Sequence, residues 1–100
     1  MFFNNRANSY YSDETNLRDV LVSIRLLQRT CQVIDYPHLR PMKYGNLSHG
    51  QAVAEQKRLI AIMKNLSGNM SDAEFKEVAD GAEREAQAAI EVLAGAPSFG

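Results

Sequence analysis

A chain of 100 residues with 45% hydrophobic residues and a net charge of −1 is long enough for one domain with one modest core, and leaves no room for a second. A charged fraction of 23% argues against disorder, and the near-zero net charge gives no overall attraction to nucleic acid or to an acidic membrane. The single cysteine, Cys31, excludes an internal disulfide bond.

Neither a membrane span nor a secretion signal is expected from the sequence. All apolar runs are too short for a transmembrane helix, and the first residues lack the apolar stretch and the cleavage site of a signal peptide. We therefore expect a cytoplasmic protein that does not enter a membrane.

The N-terminal residues 1–12 are predicted to form a short non-helical arm. Two aromatic pairs, Phe2-Phe3 and Tyr10-Tyr11, flank a polar centre in this segment. Aromatic side chains are enriched among the anchors of protein interfaces, so the arm is a candidate contact segment.

The first helix is predicted over residues 13–34, with Ser12 or Asp13 as the N-cap. One apolar face comprises Leu17, Val20, Leu21, Ile24, Leu27, Cys31 and Ile34. A second apolar cluster, Val22, Leu26 and Val33, lies on roughly the opposite side. A helix that is apolar on two sides is covered on two sides. Either the aromatic arm folds back over this cluster, or one or both of them are exposed as a contact surface.

A connection of about 13 residues follows, over residues 35–47, and long connections are often functional. It contains two prolines and a Tyr-Gly-Asn turn, so it is predicted to be non-helical. Its contact candidates are Tyr36, Arg40, Lys43 and Tyr44.

The second helix is predicted over residues 48–67, with Ser48 and Gln51 in a capping box. Its buried face is predicted to comprise Ala52, Val53, Leu59, Ile60, Met63 and Leu66.

The third helix is predicted over residues 71–94. Ser71 and Glu74 match a second capping box, and Met70 and Phe75 a hydrophobic staple. Its apolar stripe is rich in alanine, which allows a neighbouring helix to approach closely. The short gap between the second and third helices favours an antiparallel hairpin. The predicted fold is therefore all-α, an antiparallel three-helix bundle that forms one domain over residues 1–100.

No constellation of residues in the chain indicates catalysis, a metal or a cofactor. Cys31, His38 and His49 are the soft ligand candidates, but their spacing matches no compact zinc pattern and a structural site needs four ligands. Cys31 lies on the apolar face of the first helix without an adjacent base to activate it. We therefore expect a protein that is not an enzyme.

Charge is distributed unevenly along the chain. Residues 1–66 contain nine Lys or Arg and five Asp or Glu, a net charge of +4, whereas residues 67–100 contain two and seven, a net charge of −5. Arg18, Arg25 and Arg29 share one side of the first helix. Together with Lys57 and Lys64 on one side of the second helix and with the basic loop, they support an alternative function as a nucleic-acid-binding regulator.

In length, single-domain organisation and lack of a catalytic motif, the chain resembles the small phage-encoded inhibitors of bacterial defence, such as anti-CRISPR proteins. This resemblance implies a protein that sterically blocks a large host complex. We therefore predict a non-catalytic protein-binding module, with a nucleic-acid-binding regulator or a structural homo-oligomer subunit as alternatives. The predicted contact residues are Phe2, Phe3, Tyr10, Tyr11, Val22, Leu26, Val33, Tyr36, Arg40, Lys43 and Tyr44.

Overall fold

A computed structural model of the chain describes residues 16–95. Three α-helices dominate this part: α1 (Leu17–Gln32), α2 (His49–Leu66) and α3 (Asp72–Gly95), with no strand among the described residues. The predicted all-α class is therefore confirmed. The predicted aromatic arm, with Phe2, Phe3, Tyr10 and Tyr11, lies outside the described residues.

The start of α1 differs from the prediction. Asn16 is the N-cap, and its side chain accepts hydrogen bonds from the backbone N–H groups of Arg18 and Asp19 at 2.9 and 3.3 Å. Asn is as good a cap as Ser or Asp, so the sequence offers several starts within one turn. The predicted caps Ser12 and Asp13 lie outside the described residues, and the helix that the structure describes begins at Leu17 and ends at Gln32, two residues before the predicted end.

Both predicted capping boxes are present. Gln51 N–H donates to Ser48 Oγ at 3.1 Å, and Ser48 N–H donates to Gln51 Oε1 at 2.9 Å. Ser71 and Glu74 make the same reciprocal pair at the start of α3. The Ser71 backbone N–H that bonds the Glu74 carboxylate lowers the pKa of Glu74. These local bonds satisfy N–H groups that a helix start leaves without partners.

Helix α1 is the central element of the bundle. Both α2 and α3 pack against it, whereas α2 and α3 make few contacts with each other. A groove at the start of α1 is lined by Leu17, Met70 and Val78, while Leu26 lies against Val92 near the end of α3. Helix α3 thus runs parallel to α1. Because the α2–α3 connection meets the start of α1, α2 runs antiparallel to it.

This sandwich accounts for the two apolar sides of α1. Val22 and Leu26 are each 9% exposed and belong to the hydrophobic core, and Val33 is 6% exposed. Leu26 lies on the α3 side, whereas Val20 and Leu27 lie roughly 100–120° away around the axis at ~100° per residue. The alternative in which Val22, Leu26 and Val33 form an exposed contact surface was therefore wrong.

The two flanking helices contribute different side chains to the core. From α3 come the buried Ala82 and Ala86, as the predicted alanine-rich stripe requires, and Ile90, which was not part of that stripe. Ala89, which the stripe included, is exposed. From α2 only Ala52 and Leu59 are fully buried. The other four residues of its predicted face are half-buried: Val53, Ile60, Met63 and Leu66.

Candidate protein-docking groove

The connection between α1 and α2 is an ordered segment that contains two short 3-10 helices, Pro37–Leu39 and Met42–Tyr44. Arg40 holds it together. Its guanidinium donates to the carbonyl oxygens of Ile34 at 2.6 Å, Leu47 at 2.8 Å and Gly45 at 3.1 Å. Since these carbonyls come from both ends of the connection, Arg40 stabilises the loop itself, which is a different role from the partner contact predicted for it.

The second 3-10 helix is anchored on the core by the two residues that follow Met42. Tyr44 is 7% exposed and belongs to the hydrophobic core. Lys43 Nζ donates to the Oγ of the buried Ser23 at 3.0 Å and lies 5.5 Å from the Tyr44 ring centroid. These contacts attach the turn to α1, and burial leaves the Tyr44 ring little surface for the partner contact predicted for it.

With its neighbours turned inward, Met42 points outward and is 93% exposed. Across from it, Val92 on α3 is 67% exposed. Between them lies a groove of about 290 Å³, which we call the Met42–Val92 groove. It is lined by Leu26, Pro41, Met42, Lys43, Ala89 and Val92. Five of these six residues are apolar, so the groove is suited to an apolar side chain.

Two other surface depressions each include three charged residues in their lining. One, of about 490 Å³, lies between the loop and α2 and includes Glu55 and Arg58, whose side chains bond at 2.9 and 2.5 Å. The hydrogen bond from Arg58 lowers the pKa of Glu55. The other, of about 420 Å³, includes Arg18 and Arg84 at the start of α1.

The basic side of α1 faces the acidic side of α3. Arg18 pairs with Glu85 at 3.0 Å, and Arg25 pairs with Glu83 at 3.4 Å. Arg25 also donates to the Gln87 side-chain oxygen at 3.5 Å. Two of the three arginines that supported a nucleic-acid interface are therefore neutralised within the fold.

Along α3 itself, Lys76 Nζ bonds Asp80 at 2.8 Å. This bond lowers the pKa of Asp80. Glu83 and Glu85 are paired with α1, so part of the acidic charge of α3 serves contacts within the molecule. Surface pairs of this kind are individually weak.

Within residues 16–95, no group of three or more His, Cys, Asp or Glu side chains is arranged to hold a metal ion. Cys31 is a free, half-buried thiol.

In the loop, the His38 ring meets the Tyr36 ring edge-on, with the ring centroids 6.4 Å apart and the ring planes at 86°. Tyr36, a predicted contact residue, is 56% exposed and remains accessible.

Of the predicted contact residues that the structure describes, Leu26 and Lys43 line the Met42–Val92 groove, and Leu26 is buried. The most exposed lining residues, Met42 and Val92, were not among the predictions. Met42 had a signal in the sequence, as an apolar residue in a polar loop with a proline before it. Val92 lies off the apolar stripe predicted for α3, and that position had no interpretation.

Comparison of the chain with models of protein families, with curated proteins and with solved structures gave no match. None of the described helices combines the length and the apolar composition needed to cross a membrane. The interpretation of the groove therefore depends on its geometry.

Proposed function

We propose that this chain is a non-catalytic protein-binding module that docks a partner protein through the Met42–Val92 groove. The observation that carries the proposal is the exposure of Met42 at 93% and Val92 at 67% on either side of an apolar groove. Single exposed apolar residues are common on proteins, but paired ones that flank an apolar groove are typical of interaction sites. A methionine adapts its shape to a partner because its side chain is unbranched and polarizable.

The partner in this proposal is a larger host complex, as the resemblance to small phage-encoded inhibitors implies. The chain would act by occupying a surface of that complex and excluding its other ligands. The mechanism needs a rigid contact surface and no reacting group. The Arg40, Lys43 and Tyr44 contacts support it, because they hold the loop side of the groove in one conformation.

The two alternative functions have less support. A nucleic-acid-binding regulator would need the α1 arginines, and Arg18 and Arg25 are bound to carboxylates of α3. A homo-oligomer built on Val22, Leu26 and Val33 would need an exposed apolar face where these side chains are buried.

Site-specific photo-crosslinking tests the proposal. A photoreactive phenylalanine analogue replaces Met42 or Val92 in the full chain, and a matched control carries it at Ala61, an exposed residue of α2 that does not line the groove. We expect one discrete crosslinked protein in nuclease-treated bacterial lysate from positions 42 and 92, and none from position 61. Equal crosslinking at all three positions, or no crosslink at 42 and 92, would contradict the proposal.

A further inference from the structure

The methionines in the part of the chain that the structure describes differ in exposure. Met42 is 93% exposed at the edge of the groove. Met63 is half-buried and packs against the hydrophobic core, and Met70 is half-buried beside the start of α1. A dissolved oxidant therefore reaches the Met42 side chain directly, whereas neighbouring residues cover much of the other two.

The turn around Met42 keeps its side chain in this outward position. Pro41 before it and Tyr44 after it are both buried. The backbone N–H of Tyr44 donates to the carbonyl oxygen of Pro41 at 3.0 Å, and the N–H of Gly45 donates to that of Met42 at 3.3 Å. Because these contacts would have to break before Met42 could turn inward, its exposure is a property of the folded loop.

An exposed thioether is open to oxidation by a hydroperoxide such as hydrogen peroxide. The sulfur lone pair forms a bond to one peroxide oxygen, the O–O bond breaks, and the released hydroxide takes the proton of the transferred oxygen and leaves as water. The sulfur thus loses two electrons and the peroxide gains them. The product, methionine sulfoxide, is polar, and methionine sulfoxide reductases return it to the thioether.

At Met42 this change falls on a surface that the proposed function requires to be apolar. Five of the six residues that line the groove are apolar. A docked apolar side chain would cover the sulfoxide oxygen and remove its hydrogen bonds to water. Burial of a polar atom costs free energy unless a donor replaces those bonds. Oxidation of Met42 therefore opposes docking.

On the basis of the proposed function, we infer that Met42 is a reversible oxidation site that controls docking at the Met42–Val92 groove. A hydroperoxide oxidises Met42 before Met63 and Met70, the sulfoxide weakens partner binding, and reduction restores it. The fold survives the change because the Met42 side chain lies in solvent. Oxidation of Met63, in contrast, would place a polar group against the core.

Treatment of the full chain with dilute hydrogen peroxide, followed by peptide mapping, tests the order of oxidation. We expect Met42 to gain one oxygen several-fold faster than Met63 or Met70. Fragment sequencing assigns each oxygen, so oxidation of the half-buried Cys31 is counted separately. Thermal unfolding of the chain oxidised at Met42 should match that of the untreated chain. Equal rates at the three methionines, or a lower unfolding temperature after oxidation of Met42 alone, would overturn the inference.

The photo-crosslink from position 92 measures the effect on docking. The chain with the photoreactive analogue in place of Val92 is oxidised at Met42, freed of peroxide, and crosslinked at low concentration in lysate without reductant. We expect the yield of the discrete crosslinked protein to fall about tenfold or more. Treatment with the two methionine sulfoxide reductases, one for each sulfoxide epimer, should restore the yield.

A matched pair of variants separates the position of the sulfur from oxidation in general. Met42→Leu removes the sulfur and keeps an apolar side chain of similar volume, so peroxide should leave the crosslink yield of this variant as it was before treatment. Adding Ala61→Met places an exposed thioether on α2, away from the groove. This double variant should gain oxygen at position 61 without any change in its crosslink yield.

A yield that is unchanged when Met42 is oxidised, or that falls equally in the double variant, would overturn the inference and leave the docking groove of the proposed function standing. Loss of docking that the reductases do not reverse would also overturn it. Absence of the crosslink before any peroxide is added is a separate outcome, in which the proposed function fails and the control of docking fails with it.

Discussion

The two helices that flank α1 are attached in different ways. Helix α2 contributes two buried side chains, Ala52 and Leu59, and several half-buried aliphatic ones. Helix α3 contributes Ala82, Ala86 and Ile90, with the Arg18–Glu85 and Arg25–Glu83 ion pairs beside them. Large side chains stabilise by the apolar area they bury, whereas small ones allow close helix approach and leave room for charged pairs at the edges.

This difference explains why the docking groove lies on the α3 side. Ala82 and Ala86 bury less apolar area than large side chains would, and the exposed Ala89 and Val92 form one wall of the groove. The Met42–Tyr44 turn forms the other wall. A third helix packed through larger side chains would fill this space.

The largest effect on this comparison is expected from Leu59→Ala. Leu59 is 2% exposed, and its truncation leaves a cavity on the α2 side. Substitutions of this type cost about 2–5 kcal/mol of unfolding free energy. Urea denaturation followed by circular dichroism measures the loss. The matched control is Leu47→Ala in the loop, where the side chain is half-buried and we expect a smaller loss. An equal loss in both variants would show that α2 is not anchored through Leu59.

A change of intermediate size is expected from Ala86→Leu. Ala86 is fully buried where α3 meets α1, and a larger side chain there forces the helices apart. Overpacking costs about 1–3 kcal/mol. Ala88→Leu, two residues further on the exposed side of α3, is the control and should be close to neutral. If Ala86→Leu were as stable as the unmodified chain in thermal unfolding, close approach between α1 and α3 would not be required.

The smallest effect is expected from the ion pair between Arg18 and Glu85. Both side chains are about half-exposed, so the pair should contribute ~0.2–1 kcal/mol. A double-mutant cycle with Arg18→Gln and Glu85→Gln isolates this coupling, and it should shrink as salt is raised. Coupling above this range, or coupling that salt leaves unchanged, would mean that charge contributes more to the α1–α3 contact than the alanine stripe does.

Several local features of the fold could be predicted because neighbouring residues determine them. The Ser48–Gln51 and Ser71–Glu74 capping boxes each lie within four residues, and the helix starts they indicate agree with the structure. The start of α1 was harder to predict, since the sequence offers three good cap residues in Ser12, Asp13 and Asn16, and Asn16 caps the helix that the structure describes. The alanine stripe of α3 was predicted from its spacing alone.

The candidate site could be predicted only in part, because its residues come from three separated elements. Lys43 and Leu26 were recognised as candidates, but Arg40 and Tyr44 were assigned to a partner although they hold the loop on the core. No local pattern distinguishes an exposed loop arginine from one whose donors are taken by three carbonyl groups of the same loop. Val92 meets Met42 only after α3 docks on α1.

The sequence by itself determined that residues 16–95 are all-α with three helices, and that α1 must be covered on two sides. These follow from hydrophobic periodicity and capping, which act over a few residues. Only the tertiary structure decided that α2 and α3 provide the two covers, that the α1 arginines face α3, and that Met42 and Val92 frame a groove. Such features depend on contacts between residues far apart in the chain, and helix packing selects them for shape and volume across whole faces.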